Sequence, residues 1–118
     1  MNQVFKNVKP IAPGFDNEIR IQYSDQYWTL MAVGTGRLIA HFREEVDSES
    51  ILFTADTDNG SITRSAGNTL SIKIPASATV NWKMRGVVFD IARVDGSEKS
   101  GLPGAFRWPV RQRVTRDV

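Results

Sequence analysis

The chain contains no cysteine, so the sequence excludes a disulfide framework, a thiolate metal site and a cysteine nucleophile together. It has one histidine, His41, and no run of about 18 apolar residues that could span a bilayer. The first residues include Lys6, Lys9 and two prolines, where a signal peptide needs an unbroken apolar stretch. We therefore expect a soluble, unexported protein.

Helical periodicity is also missing, because apolar residues nowhere keep a 3.6-residue period over the roughly 10 residues of an amphipathic helix. They alternate with polar residues in short runs bounded by turn signals, which is typical of half-buried β-strands. With 118 residues, 41% of them hydrophobic, the chain is long enough for one packed domain. We expect an all-β fold, a two-sheet antiparallel sandwich of the immunoglobulin-like kind, with a partly open β-barrel as the alternative.

Regular alternation predicts strands with one apolar face at Asn17–Tyr23, Arg37–Glu44, Thr69–Ile74, Val87–Val94 and Ala105–Thr115. Tyr27–Val33 is apolar on both faces and predicts a buried strand. Asn59-Gly60 predicts a tight type I′ hairpin, with a short strand around Ser61–Arg64 pairing back across it. The stretch Ala76–Arg85 has room for one helical turn, and we expect Ser97–Gly104 to be a surface loop.

Residues 1–14 show no clear period, and we expect them to form an N-terminal arm ahead of a single β-sandwich domain over residues 15–118. Such an arm orders against a partner, and deleting residues 1–13 should then weaken assembly while the sandwich stays folded. The apolar residues that the arm would bury on a neighbouring subunit are Val4, Phe5, Val8 and Ile11.

Charge is distributed unevenly along the chain. Residues 1–60 carry 5 basic and 9 acidic side chains, whereas residues 61–118 carry 10 basic and 4 acidic ones. Such a split is typical of nucleic-acid-binding patches and also of proteins that dock to copies of themselves or to charged neighbours.

The last predicted strand carries the most informative pattern, with Arg107, Arg111 and Arg113 on one face and Phe106 and Trp108 on the other. Because the aromatic rings would point into the core, they cannot form a base-stacking platform beside the arginines. The pattern therefore favours a protein interface, in which the arginines pair with carboxylates of the 44–49 loop on a neighbouring copy. A charged edge strand that resists aggregation is the alternative.

Residues that could carry catalysis or hold a metal lack the surroundings that such chemistry needs. The carboxylates of residues 44–49 lie in a largely polar loop without the apolar surroundings that would raise a pKa. A calcium loop starting at Asp56 would need glycine and glutamate where Ser61 and Gly67 stand, and no Gly-x-Ser-x-Gly motif accompanies His41. We expect neither an enzyme nor a cofactor.

Two binding functions stay open as alternatives. A small nucleic-acid-binding β module would use the arginine face of the last strand for phosphate contacts. A carbohydrate-binding sandwich would use an exposed Trp28 or Trp82 beside polar groups.

Residues 35–118 contain an ordered series of features: Ala40-His41-Phe42-Arg43 on a strand, an Asn-Gly turn, the strand Leu70–Ile74, Pro75 with Thr79, Val88-Phe89-Asp90-Ile91, Asp95-Gly96, Leu102 with Gly104, and Val-Arg-Gln-Arg-Val-Thr-Arg at 110–116. This order resembles the small β-sandwich proteins encoded in structural gene clusters of tailed phages and prophages. It is similar to the N-terminal domain of baseplate upper proteins and to related virion components.

The resemblance implies a structural role in the virion, which is assembled in the host cytoplasm. It implies a homo-oligomer, such as a trimer or a ring around the tail or head–tail axis, that docks to other virion proteins. It carries over no catalytic residue, because the motifs consist of turns and core positions.

Overall fold

The computed structural model describes residues 3–6, 9–102, 104–112 and 114–115, with backbone alone for residues 3 and 4. In this part of the chain the elements are, in order, β1 (Gln3–Phe5), β2 (Asn17–Tyr23), α1 (Asp25–Leu30), β3 (Arg37–Arg43), β4 (Phe53–Asp56), β5 (Ile62–Ser65), β6 (Thr69–Ile74), α2 (Ala76–Thr79), β7 (Gly86–Asp95), β8 (Glu98–Gly101) and β9 (Phe106–Pro109). No helix among these residues is long and apolar enough to cross a membrane.

The strands form two antiparallel sheets that pack face to face. The first sheet has the order β1-β2-β6-β5, and the second has the order β4-β3-β7-β8, with β9 also paired to β7. Because β9 pairs with the first half of β7 and β8 with the second half, both lie on the same side of that long strand. The expected two-sheet antiparallel sandwich is confirmed, and the sheets do not close into a barrel.

The core lies between the sheets and is built from the apolar face of each alternating strand. Ile19 and Ile21 of β2 face it from the first sheet, and Phe42 of β3 and Phe89 of β7 face it from the second. The rings of Phe42 and Phe89 stack with their centroids 4.6 Å apart. The two-residue period that predicts these strands therefore also identifies their buried side.

The buried strand predicted for Tyr27–Val33 is wrong, because the chain forms α1 there. Ser24 caps this helix, its hydroxyl accepting a hydrogen bond from Tyr27 N at 3.1 Å, and Asp25 lies in the positive first turn. A short apolar run does not distinguish a buried strand from a buried helical turn, and the capping residues decide this case. The helical turn expected after Pro75 is confirmed as α2.

The hairpin predicted at Asn59-Gly60 is also wrong, since β4 and β5 belong to different sheets. Gly60 has a φ of +81° and donates its N–H to Thr57 O at 3.3 Å, but Asn59 does not share the positive φ that a type I′ turn requires. The turn therefore carries the chain from one sheet to the other. The loop expected over Ser97–Gly104 instead contains β8, which pairs with β7.

The described part of the N-terminal segment packs on its own sandwich. β1 pairs with β2, and the Phe5 ring lies 5.0 Å from the rings of Phe106 and Trp108. Trp108 Nε1 donates to Lys9 O at 2.8 Å, and Ile11 is 1% exposed. Ile11 therefore has no free surface to offer a neighbouring subunit. Val8 and the side chain of Val4 lie outside the described residues.

Candidate protein interface

β9 turns its aromatic and basic side chains in opposite directions, as the alternation predicts. Trp108 is 5% exposed and contributes to the core, whereas Arg107 is exposed on the outer face of the second sheet, opposite Val88. Arg111 is exposed beyond the end of the strand, and Arg113 lies outside the described residues. The aromatic residues therefore offer no base-stacking platform beside the arginines.

Residues 44–49, the acidic loop, form an ordered turn next to this face. Glu45 O accepts a hydrogen bond from Ser48 N at 3.1 Å, and Ser48 Oγ accepts one from Glu45 N at 3.0 Å. Arg43 Nη1 donates to the backbone carbonyls of Ser48 and Glu49 at 3.0 and 2.8 Å. These hydrogen bonds fix the base of the loop, and Val46 and Asp47 lie at its exposed tip.

One arginine–carboxylate pair that we expected between copies occurs within the chain. Arg107 Nη2 donates to Glu45 Oε2 at 2.7 Å, and both side chains remain about half exposed. The hydrogen bond and the charge of Arg107 lower the pKa of Glu45, and the same contact raises the pKa of Arg107. This ion pair joins the acidic loop to strand β9 of the second sheet.

A groove lies beside Arg107 on the same outer face. Its lining residues, which we call the basic groove, are Arg85, Gly86, Arg107 and Pro109, and its volume is about 420 Å³. A Cβ added at Gly86 would lie 3.5 Å from Trp108 O and 3.7 Å from Arg107 Nη1, so this part of the groove has room for a further small group. The groove is thus lined by two apolar residues, Gly86 and Pro109, and by two arginines.

Most charges of these two features have no ion-pair partner in the described part of the chain. The ion pairs found there are Arg37 with Asp56 and Asp58, Arg93 with Asp95, and Arg107 with Glu45. Unpaired cations remain at Lys83, Arg85 and Arg111, and unpaired carboxylates remain at Glu44, Asp47 and Glu49. Exposed charges of both signs therefore remain available to a partner, in two features that the Arg107–Glu45 pair joins.

Sequence reasoning missed Arg85, Gly86 and Pro109 as parts of one feature. The Lys-x-Arg-Gly run before β7 was a local signal of positive charge, but the groove depends on the pairing of Gly86 with Pro109. That pairing joins two segments more than twenty residues apart and follows from the strand register. Periodicity along a single segment does not contain this information.

The tryptophans considered for carbohydrate binding are not free surface rings. Trp82 is 5% exposed and belongs to the core, so it cannot present its ring to a sugar. Trp28 is half-buried and packs near Tyr23, with centroids 6.1 Å apart. An open cavity of about 770 Å³ is lined by the start of β2, the end of β6 and the turn at residues 59–61, and Phe53 and charged residues of both signs border it.

His41 lies directly opposite Asp90 on the outer face of the second sheet. Among the described residues, no three histidine or acidic side chains come close enough together to hold a metal ion.

Comparison with models of known protein families and with curated proteins finds no match to this chain.

Proposed function

We propose that this chain is a structural or assembly protein that works by binding to copies of itself and to other proteins. The observation that carries the proposal is the pair of oppositely charged features, the acidic loop and the basic groove, on one exposed sheet face. Arginine beside apolar surface is characteristic of protein interfaces, where it pairs with carboxylates through two hydrogen bonds at once.

The particle in which the protein assembles is proposed from the resemblance of residues 35–118 to tailed-phage structural proteins. A two-sheet sandwich is the fold which that resemblance implies, and it supports the proposal. On this proposal the protein is a tail, baseplate or head–tail component, and it repeats around the particle axis as a symmetric oligomer.

Immunogold electron microscopy tests the virion assignment. An antibody against the purified chain is applied to phage particles released by the organism that encodes it. We expect gold at one defined place on the particle, at the tail, the baseplate or the neck. Particles that carry no label, with the chain recovered entirely in the soluble fraction, would contradict the assignment.

A nucleic-acid-binding module is the second candidate, because Lys83, Arg85, Arg107 and Arg111 cluster at one end of the second sheet. Binding through phosphates alone weakens steeply as salt rises. Titration of a labelled single-stranded oligonucleotide at low salt decides this case. Salt-sensitive binding that is lost in an Arg111→Ala variant would support the module, and we expect no binding.

A further inference from the structure

We propose that the tip of the acidic loop docks into the basic groove of a second copy of the chain, and that a two-fold axis makes the contact reciprocal. This inference rests on the proposed assembly function and names the surfaces that carry it. The docking segment is Val46 with Asp47, and the receiving surface is the basic groove together with Arg111, which follows Val110 in the chain; Val110 N donates to Arg85 O at 2.9 Å.

The loop tip has the chemistry that the groove would recognise. Val46 is 74% exposed although it is apolar, and acidic residues lie on both sides of it in the chain. The groove is lined by a glycine and a proline together with Arg85 and Arg107. An apolar side chain packed against Gly86 and Pro109, followed in the chain by the unpaired carboxylates of Asp47 and Glu49, matches both the polarity and the charge of the groove.

The loop is also held in place before any partner binds. The hydrogen bonds between Glu45 and Ser48, and those from Arg43 to the loop carbonyls, fix the backbone on either side of the tip. A segment ordered in advance loses little conformational entropy on binding, so a small contact retains more of its binding free energy.

The arrangement of the two features selects a second copy as the partner. Arg107 contacts Glu45 through Nη2, and its Nη1 lies above Gly86, so the loop and the groove are immediate neighbours. A two-fold axis that runs along the face, between the loop and the groove, places each loop over the groove of the other copy. A self-complementary patch of this kind makes every contact twice, which is the property of an isologous dimer.

Nucleic acid fits the same groove less well. Glu45 already neutralises part of the positive charge of Arg107. The unpaired carboxylates of the same acidic loop, Glu44, Asp47 and Glu49, would repel the phosphates of a nucleic acid. A partner that brings its own carboxylates to Arg85 and Arg111 meets the basic side of this face and adds an apolar anchor.

Charge reversal on each surface gives the first test. The groove variant is Arg85→Glu with Arg111→Glu, and the loop variant is Asp47→Lys with Glu49→Lys; all four side chains are exposed. In each variant alone, like charges face each other in the dimer, and we expect the dissociation constant to rise about tenfold or more. When the two variants are mixed, opposite charges meet at both contacts, and we expect a 1:1 heterodimer.

Sedimentation velocity at low salt measures these masses, with the wild-type chain alongside. The matched control is Lys73→Glu with Glu98→Lys, two exposed charges away from the proposed contact, and it should associate as the wild type does. If the wild type associates and neither variant changes its dissociation constant, the docking assignment is overturned while the assembly function stands. The assignment is also overturned if the mixture of the two variants fails to form a heterodimer. It is likewise overturned if the groove variant loses nucleic-acid binding but self-associates as the wild type does.

The apolar anchor gives a second test that changes no charge. Val46→Ser should weaken self-association about tenfold, since it removes the apolar side chain that the proposal packs against Gly86 and Pro109. Leu30→Ser is the control, because Leu30 is 76% exposed on α1, away from this face. If Val46→Ser and Leu30→Ser both self-associate as tightly as the wild type does, the role of Val46 as an anchor is contradicted. Unfolding curves recorded for each variant check that the sandwich is intact.

Discussion

At the residue scale, two arginines hold the loop that joins α1 to β3. Arg64 of the first sheet donates through Nε to Val33 O at 2.9 Å and through Nη2 to Gly36 O at 2.6 Å. Arg93 of the second sheet donates through Nε to Ala32 O at 2.8 Å, and it is 8% exposed. Burial and the nearby charge of Arg93 lower the pKa of Arg64. Backbone carbonyls therefore satisfy these inward-facing guanidinium groups and tie the loop to both sheets.

Gly36→Ala should be distinctly destabilising. Gly36 has a φ of +78°, and an added Cβ would lie 3.1 Å from three atoms of the Arg93 guanidinium group. The left-handed backbone costs a non-glycine residue about 1–2 kcal/mol, and displacement of Arg93 adds to that. Gly60→Ala is the matched control, with a φ of +81° and nothing within 4 Å. Urea unfolding should show the larger loss for Gly36→Ala; equal losses would mean that the Arg93 contact contributes nothing.

Asp56 should make stability depend on pH in the acid range. Asp56 is 6% exposed, and its carboxylate accepts hydrogen bonds from Arg37 Nε at 3.0 Å and from Asp58 N at 2.9 Å. The hydrogen bond from Arg37 lowers the pKa of Asp56 below its ordinary value of 3.8 in spite of burial. A lowered folded-state pKa means that the ionised group stabilises the fold above pH 3.8 and that this contribution is lost as pH falls further.

The comparison of wild type with Asp56→Asn isolates this contribution to the free energy of unfolding. The difference between the two proteins should be present at neutral pH and should shrink as pH falls below 3.8. Urea unfolding at several pH values measures it. A difference that stays constant across this range would show that ionisation of Asp56 has no part in stability.

At the scale of elements, strands with clear alternation could be predicted from the sequence, and the connections between them could not. The bounds of β2 follow directly from the alternation of Ile19 and Ile21 with charged neighbours. The predicted pairing of β4 with β5 is wrong, because a turn signal does not say whether the next strand joins the same sheet. The ion pair of Arg107 with Glu45 within one chain likewise depends on how segments distant in the sequence meet in space.

Ile11→Ala tests whether the N-terminal segment belongs to the sandwich. Ile11 is 1% exposed, its N–H donates to Pro109 O at 2.8 Å, and its carbonyl accepts Arg111 N at 2.9 Å. We expect the variant to lose about 2–4 kcal/mol of unfolding free energy, because it leaves a cavity in the core. Val80→Ala, at a position 62% exposed, should change stability by less than about 0.5 kcal/mol.

Urea unfolding at low protein concentration measures both variants, so that self-association does not contribute. An arm that orders only on a neighbouring subunit would behave differently. Ile11→Ala would then leave the unfolding curve of the dilute chain unchanged and would weaken association at high concentration.

At the scale of the whole molecule, the two charged features are parts of one face, and neither has its full complement of partners within the described residues. The sandwich supplies the support for both features, since the loop follows β3 and residues of the paired strands β7 and β9 line the groove. Docking through such a face is weakened by salt, because its exposed charges are screened over about 10 Å at 0.1 M ionic strength. Self-association should therefore respond to ionic strength as well as to concentration.

The absolute mass of the full chain in solution tests this account most directly. Light scattering is recorded across a concentration series at low and at high salt. We predict twice 13.2 kDa, or a higher even multiple of it, at high protein concentration and low salt, with a decrease toward 13.2 kDa as salt rises. A mass of 13.2 kDa at every concentration and at both salt levels would contradict the account.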